Sequence, residues 1–464
     1  MPPLASLCLT PLHLAAMVAD PPPMAAPRSA AAGPAMCIEP IALAARDDVS
    51  GSFTETFTTE HFLLAWDPAN PAVTEAAIDT YADALETSWT VEIDTLGWRA
   101  PDQTDACLMT VLIAEFDESW GDTGGYTDVV ETRGVPYMVL NTAWLEYGDA
   151  WTQTLAAHEF NHASQFGYDV FWDEADWWYW EATAEWIPDL VFDDADTYIW
   201  SLWAYLDAPW LALSSMRATV QYGHFAFNTH LAETGGEAVP RTVWESATPA
   251  EGMDVATSLA LGGREFDEVV LAYTSQVAAL DVDEQDVWLE AIGYFEMDPY
   301  VAHVEEYPAD GAVEGREAPQ ARGQNFLHFT GTPGGDVVFA FAGTPSVNEV
   351  PTEWAVTLAT ESVGGGVTHT SVRADASGVA EVVIHGIGED VSDAYVAVVP
   401  LGDIGETGAA WSWGATVIPP ADVPIEEEEE TPNACACGTT SPVSGLGGLA
   451  LVLLLARRRR QAGA

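Results

Sequence analysis

Residues 155–167 have the sequence LAAHEFNHASQFG, and residues 177–186 follow with WWYWEATAEW. The first stretch contains an H-E-x-x-H motif made of His158, Glu159 and His162. On a helix, residues four positions apart project from one face, so the two imidazoles can share a metal ion. Glu159 lies beside the first ligand, where it can polarise a water molecule at the metal. The stretch predicts a metal-binding helix around which the remaining chain can be interpreted.

The second stretch supplies candidates for a third ligand. Glu181 follows His162 after 18 intervening residues and lies on a predicted helix. Three protein ligands leave one position open, as a catalytic zinc site requires. Glu185 lies one turn further along the same helix face and is an alternative ligand. The residue that does not bind the metal is expected to orient one of the histidines.

The composition indicates a large, acidic and mostly globular protein. Its 464 residues are 48% hydrophobic, which is enough for a sizeable core. The 72 acidic residues outnumber 14 basic ones, giving a formal net charge of -58. This charge excludes nucleic acid and anionic membrane surfaces as partners for the body of the protein. We interpret the acidity as a solvated surface, with bound Ca²⁺ as the second interpretation.

One acidic group is a candidate for that Ca²⁺, although its spacing does not match an EF-hand loop. It consists of Asp117, Glu118, Asp122 and Asp128.

Strand patterns precede the motif, and helical patterns follow it. Residues 54–66 and 137–141 predict strands, and the apolar run at 107–116 predicts a strand buried on both faces. Residues 71–96 have apolar side chains at helical spacing. The sequence therefore predicts an α+β domain in which a sheet packs against the motif helix. Further helices are expected at residues 182–187, 198–206, 223–232, 240–246 and 265–280.

Seven short strand patterns later in the chain predict an antiparallel β-sandwich of about one hundred residues. They lie at residues 325–329, 336–341, 353–359, 368–373, 380–384, 394–399 and 410–417. Charged residues and prolines at 299–322 suggest a domain boundary. The scattered histidines His328, His369 and His385 are assigned to solvent or packing, and no chemistry is expected there.

The cysteines do not indicate a disulfide framework or a cysteine-based zinc site. Cys107 lies within an apolar run of the globular part and is expected to be a buried free thiol. Residues 1–50 form a poorly defined leader rich in Ala and Pro. Pro11 and His13 interrupt its apolar stretch, and no basic residue precedes Arg28, so it is a poor signal peptide.

The end of the chain has three parts in a fixed order. Cys435 and Cys437 follow an acidic linker, an apolar segment covers residues 442–456, and four arginines occupy 457–460. This order resembles the myxobacterial C-terminal sorting tail, MYXO-CTERM. The resemblance implies export, processing near the cysteines and attachment at the cell surface, with possible release. A plain membrane tail anchor is the alternative.

At the motif, the order H-E-x-x-H, 18 residues, Glu resembles the aminopeptidase N-like branch of the gluzincin metallopeptidases. Residues 178–184 (WYWEATA) resemble its W-x-x-E-G-x-A segment, with Ala182 in place of Gly. Residues 54–418 are similar to a family of secreted myxobacterial metalloproteases. That similarity rests on the motif, the WEATAEW segment, Tyr222 with Gly223, and the trailing β-domain.

The resemblance implies a gluzincin-like zinc peptidase. His158, His162 and Glu181 would bind zinc and Glu159 would be the general base, which favours Glu181 over Glu185 as the ligand. No Gly-Ala-Met-Glu-Asn exopeptidase segment precedes the motif, so an endopeptidase is expected.

Such an enzyme also needs a donor for the oxyanion, and the usual tyrosine is not placed by spacing. Tyr222 and His224 are the candidates, with Tyr168 behind them.

The expected organisation is a leader at 1–50, a zinc metallopeptidase domain at 51–305, a β-sandwich at 320–418, an acidic linker at 419–434 and a sorting tail at 435–464. The expected substrate is a peptide or protein, and membrane contact is expected only through the tail. Two rival hypotheses are a non-catalytic zinc-containing surface binding protein and a metalloenzyme that hydrolyses something other than peptides.

Overall fold

A mixed sheet, a layer of helices and a pair of mostly antiparallel sheets follow one another along the chain. The computed structural model describes residues 35–46, 49–130, 134–168, 176–246 and 254–419. The expected α+β class is confirmed. The acidic linker from residue 420 onward and the sorting tail lie outside the described residues, as do residues 1–34 of the leader.

Six strands form the sheet in front of the motif helix. They are β1 (Ala35–Met36), β2 (Glu55–Thr58), β3 (Phe62–Trp66), β4 (Cys107–Ala114), β5 (Gly125–Val130) and β6 (Val135–Asn141). Their order is β2-β3-β4-β6-β5, and β1 pairs with β4. Strands β3, β4 and β6 run parallel, while β2 and β5 are antiparallel edges. The apolar run in β4 is buried from its second residue onward, as predicted for a central strand.

Three details of this region differ from the prediction. The single strand expected at 54–66 is a hairpin of β2 and β3, because the chain turns at residues 59–61. The helix expected at 71–96 ends as an α-helix at Ser88 and continues as a π-helix, Trp89–Thr95. Strand β5 was not predicted, since its sequence GYTDVV contains a Gly and an Asp, both uncommon in strands.

The prediction of a free Cys107 thiol was wrong. Cys107 forms a disulfide with Cys37, 70 residues earlier in the chain. The bond lies beside the short β1–β4 pairing, in which Ala35 is the partner of Cys107. The last part of the expected leader is therefore covalently attached to the central strand of the sheet.

Eleven α-helices occur in the described residues. They are α1 (Pro40–Arg46), α2 (Glu75–Ser88), α3 (Asp149–Phe166), α4 (Trp177–Val191), α5 (Ile199–Asp207), α6 (Val220–Gly223), α7 (Phe225–Gly235), α8 (Ala238–Ser246), α9 (Val255–Leu261), α10 (Phe266–Ala279) and α11 (Gln285–Tyr294). The motif helix α3 packs on the sheet through Ala156, Phe160 and Ala163. Within the described residues, no helix has both the length and the apolar character needed to cross a membrane.

Two antiparallel-rich sheets form the expected sandwich. Their strands are β7 (Tyr300–Val304), β8 (Ala309–Val313), β9 (Asn325–Phe329), β10 (Asp336–Gly343), β11 (Ser346–Val347), β12 (Val350–Pro351), β13 (Glu353–Ser362), β14 (Val367–Arg373), β15 (Val379–Ile384), β16 (Val391–Leu401) and β17 (Trp411–Ile418). One sheet has the order β15-β10-β17-β8 and the other β14-β13-β16-β9-β7, while β11 and β12 form a separate ribbon. All seven predicted strands are confirmed.

The helical layer and the sandwich share a hydrophobic core. Ala355 and Val399, on the five-stranded sheet, belong to the same buried cluster as Val270 and Val277 of α10. The segment at 299–322, expected to be a boundary, contributes β7 and β8 to the two sheets. The five-stranded sheet therefore packs against α10 of the helical layer.

Candidate metal centre

Helix α3 directs both motif histidines toward α4. Because Ala156, Phe160 and Ala163 face the sheet, the opposite face of α3 carries His158 and His162. Asp149 lies in the first turn, where the helix dipole favours a carboxylate.

Helix α4 supplies Glu181 and is held firmly by its aromatic side chains. Trp178, Trp180 and Trp186 are buried in the main core cluster. Trp178 and Trp180 therefore contribute packing to the core, while Trp177 is 40% exposed.

Three ligand atoms of the predicted triad converge. His158 Nε2 lies 3.2 Å from His162 Nε2, and each lies 3.5 Å from Glu181 Oε2. Ligand atoms about 2.0–2.1 Å from a tetrahedral zinc lie about 3.3–3.4 Å from one another, so the triangle fits zinc. The three side chains are 10–15% exposed, which leaves the centre accessible from one side. His158, His162 and Glu181 form a potential metal-binding triad.

The charge of Glu181 suits this role. Burial alone would raise the pKa of Glu181, but the adjacent imidazoles of His162 and His158 lower it below its usual range. The carboxylate is therefore kept anionic, the form in which it binds a cation.

Glu185 orients His158, the role expected of the residue that does not bind the metal. Its Oε2 atom lies 3.1 Å from His158 Nδ1, and Ser201 donates a hydrogen bond of 2.6 Å to Oε1. Because a carboxylate only accepts, His158 Nδ1 carries the hydrogen, and in the neutral ring Nε2 is the nitrogen with a lone pair for a metal. Ser201 on α5 was not predicted, because its proximity depends on how α5 packs.

His162 is oriented by a side-chain amide. Gln165 Nε2 donates to Asn161 Oδ1 at 2.8 Å and to the Trp180 carbonyl at 3.1 Å. These two bonds fix the amide orientation, so Gln165 Oε1 accepts from His162 Nδ1 at 2.8 Å. His162 Nε2 is then a lone-pair donor to a metal, like His158 Nε2.

The polar chain continues into the core. Asn161 Nδ2 donates to Glu92 Oε2 at 3.0 Å, and Glu92 is fully buried in the π-helix. Burial raises the pKa of Glu92 well above its ordinary value, despite the bond from Asn161 and the nearby His158. Sequence reasoning missed Gln165, Asn161 and Glu92. The signal that could have revealed them is a polar residue on the buried face of a predicted helix.

The carboxylate of Glu159 is held by the edge strand β5. Thr127 Oγ1 lies 2.8 Å from both the Glu159 carbonyl and Glu159 Oε2. A Cβ atom on Gly125 would lie 3.1 Å from Glu159 Cγ and Oε1. A glycine at this position therefore leaves room for the carboxylate. Burial raises the pKa of Glu159, partly offset by His162 and His158.

Tyr222 lies beside the triad, as expected of a donor. Its ring is 5.9 Å from the His158 ring, centroid to centroid. The negative charge of Glu181 and burial raise the pKa of Tyr222 above its usual range, so the phenol keeps its proton. The turn before α6 places Ala218 and Thr219 at positive φ, a strained conformation for such residues.

Gly223 permits the close approach of α6, which carries Tyr222, to α5. A Cβ atom on Gly223 would lie 2.4 Å from Tyr205 Cβ and 2.5 Å from the Ser201 carbonyl. Only glycine therefore allows α6 to pack directly on α5.

The structure does not support a catalytic role for His224. Its side chain is buried between Trp178 and Tyr205, and in the described chain neither ring nitrogen has a hydrogen-bond partner. Burial lowers the pKa of His224 to about 3, so the ring stays neutral.

Tyr168 likewise contacts residues that do not belong to the triad. Its hydroxyl accepts a hydrogen bond from the Arg99 backbone N–H at 3.3 Å, and its ring packs on Trp98 and Trp244.

The acidic group proposed for Ca²⁺ does not assemble within the described residues. Asp117 accepts hydrogen bonds from Ser119, and Asp128 accepts from the Val129 backbone N–H. A different acidic group in the described residues, made of Asp189, Asp193 and Glu284, has oxygen atoms close enough together to hold a metal ion.

Comparison with known proteins gives a structural similarity but no family for this chain. No protein family matches it, and no curated protein matches it. Among solved structures it is similar to a family GH115 4-O-methyl-α-glucuronidase with specificity for decorated arabinogalactans. That match has 10% identity and a TM-score of 0.16, and covers 60% of this chain and 39% of the other. At this TM-score the similarity supports neither a fold nor an activity.

Proposed function

We propose that the chain is a zinc-dependent peptidase of gluzincin-like organisation, acting as an endopeptidase. The observation that carries the proposal is the triangle of His158 Nε2, His162 Nε2 and Glu181 Oε2, with Glu159 in the next position of the helix. Its sides match the ligand spacing of a tetrahedral zinc, and both imidazoles are oriented through Nδ1.

The residues around the triad have the chemistry that amide hydrolysis needs. Zinc held there would supply Lewis acidity toward water and the scissile carbonyl. Glu159 takes the proton of the attacking water and passes it to the leaving amine nitrogen as the C–N bond breaks. Tyr222 donates a hydrogen bond to the carbonyl oxygen as negative charge develops on it.

The edge strand beside the centre favours a peptide substrate. Strand β5 ends the sheet, and no described strand pairs with its outer edge. An extended peptide can add to such an edge through alternating N–H and C=O groups. Because Thr127 on β5 also holds Glu159, a peptide paired there would lie next to the general base.

A non-catalytic zinc-containing surface protein is the rival proposal. A structural zinc site usually has four protein ligands, whereas the group in the described residues has three. Glu185, the nearest candidate for a fourth, is engaged by His158 Nδ1 and Ser201. The open position favours catalysis.

We further propose that the protein is exported to the cell envelope or outer surface. The disulfide between Cys37 and Cys107 is compatible with an oxidising compartment. Export also agrees with the resemblance of the last residues to a sorting tail.

The test is Glu159→Gln in the full chain. The variant should retain zinc with wild-type stoichiometry and lose casein cleavage by about 10³-fold or more. Undiminished cleavage by purified Glu159→Gln would refute the mechanism. Zinc retention together with inactivity of the wild type on proteins and peptides would favour the rival proposal.

A further inference from the structure

A second pair of histidines meets on the five-stranded sheet. His303 on β7 is the direct register partner of His328 on β9. Their Nδ1 atoms lie 3.1 Å apart, about the separation of the two Nε2 atoms in the triad. No residue of this pair belongs to the centre described above.

A carboxylate holds the outer nitrogen of each ring. His303 Nε2 lies 3.0 and 3.1 Å from the two oxygens of Asp298, and His328 Nε2 lies 2.8 Å from Asp393 Oδ1. Because carboxylates accept hydrogen bonds, both Nε2 atoms carry hydrogens. In two neutral rings, both Nδ1 lone pairs then face each other, and either a metal ion or a proton between them relieves the repulsion.

The rings are held in place on both sides. The His328 ring stacks on Tyr395, with centroids 4.9 Å apart and planes 7° apart. Tyr300 contacts both imidazoles and donates a hydrogen bond of 2.9 Å from its hydroxyl to the Ala278 carbonyl at the end of α10. The lone pairs therefore converge through packing that involves the sheet and the helical layer.

We propose that His303 and His328 bind a second divalent transition-metal ion through their Nδ1 atoms. Imidazole ligands select Zn²⁺, Cu²⁺ or Ni²⁺ over Ca²⁺ and Mg²⁺, which prefer oxygen. The carboxylate–histidine–metal arrangement at each ring raises ligand basicity and fixes the tautomer. The His303 side chain is 45% exposed, so water can occupy the remaining coordination positions.

The position of the pair gives the ion a structural role. Asp298 follows α11, His303 and His328 lie on neighbouring strands, and Asp393 lies on β16. An ion at this point would fasten the segment that leaves the helical layer to three strands of one sheet. Since it binds the folded chain, it should raise the melting temperature further as the concentration of free metal ion increases.

The test counts metal ions and requires no activity measurement. After equilibrium dialysis against Zn²⁺, the wild type should hold two ions per chain, and His303→Ala or His328→Ala should each hold one. His385→Ala is the matched control, because His385 also pairs with an aspartate, Asp336, but has no histidine partner. It should still hold two.

Two further measurements separate metal binding from a loss of folding. Asp393→Asn keeps both imidazoles and should weaken the second site by about 10-fold or more. In wild-type protein loaded with Cu²⁺ in place of Zn²⁺, electron paramagnetic resonance should show signals from two copper ions with nitrogen couplings, and His303→Ala should lose one of the two signals. One ion per wild-type chain that is also retained in His303→Ala would overturn the proposal, since a proton would then bridge the rings. Unchanged second-site binding in both alanine variants would overturn it equally.

Discussion

Gln165 Oε1 lies 2.8 Å from His162 Nδ1, and the amide orientation is fixed by donation from Gln165 Nε2 to Asn161 and to the Trp180 carbonyl. The tautomer of a metal ligand is thus set by a network buried behind it. Replacing Gln165 with Leu removes the acceptor, and the affinity for Zn²⁺ should fall about 10–100-fold. Competition with a chromophoric chelator measures this change.

Gln165→Glu is the control for that prediction. It retains an acceptor for His162 Nδ1, so its zinc affinity should remain closer to the wild type, although lost donor contacts lower its stability. Equal affinities of the Leu and wild-type proteins would show that Gln165 does not orient the ligand.

The two candidate oxyanion donors, Tyr222 and His224, lead to opposite expectations for kcat. Tyr222 lies 5.9 Å from His158 between ring centroids, whereas His224 is buried against Trp178 and Tyr205. Tyr222→Phe should lower kcat about 10²–10³-fold with zinc content unchanged, because it removes one oxyanion donor. His224→Phe should leave kcat within a few-fold. Steady-state kinetics on one peptide substrate compares them, and the reverse ranking would restore His224 as the donor.

Local sequence patterns predicted the motif helix and the strands of the sandwich. The four-residue spacing of His158 and His162 is sufficient to place both on one helix face, and short strand-like runs between Gly, Pro, Asp and Ser are sufficient to locate the sandwich strands. The proximity of Glu181 to the histidines required the resemblance, because it depends on how two helices pack.

The missed features depend on long-range contacts. Glu92 and Asn161 meet across 69 positions, and the disulfide joins Cys37 to Cys107 across 70. Neither distance is visible in a local pattern. The neighbour of His328 was missed for the same reason, since His303 becomes evident only from the strand register.

Gly125 is expected to be essential for activity on steric grounds. Its backbone is not in the left-handed region, but an added Cβ would lie 3.1 Å from Glu159 Cγ, Glu159 Oε1 and the Val139 carbonyl. Gly125→Ala should displace the carboxylate and lower kcat at least 10-fold, while the triad still binds zinc. Gly364→Ala is the matched control, because nothing lies within 4 Å of its added Cβ. Equal kcat values for the two variants would contradict the steric account.

The disulfide should make a large contribution to stability. It closes a loop of 70 residues, for which chain entropy gives about 4 kcal/mol. Cys37→Ala should therefore lower the free energy of unfolding by about 2–4 kcal/mol, measured in urea without reductant. Reductant should destabilise the wild type by a similar amount and leave the variant unchanged. A variant as stable as the oxidised wild type would show that the bond does not form.

Asp189 should make stability depend on pH. Burial, followed by the charges of Glu284, Asp193 and Asp196, raises the pKa of Asp189 to about 8. Below about pH 4, Asp189 is protonated in both the folded and unfolded states. Between about pH 4 and 8 the unfolded state ionises and the folded state does not, so the folded state binds more protons and stability falls as pH rises.

Asp189→Asn should remove this loss. In the described chain, Asp189 Oδ1 is buried without a hydrogen-bond partner. The substitution therefore breaks no hydrogen bond at that atom. At pH 8, in buffer without added calcium, the variant should exceed the wild type by about 1–3 kcal/mol in the free energy of unfolding. Near pH 4 the two should agree. Asp105→Asn, an exposed change of the same charge, should show no such pH-dependent difference, and a parallel gain in both variants would assign the effect to net charge instead.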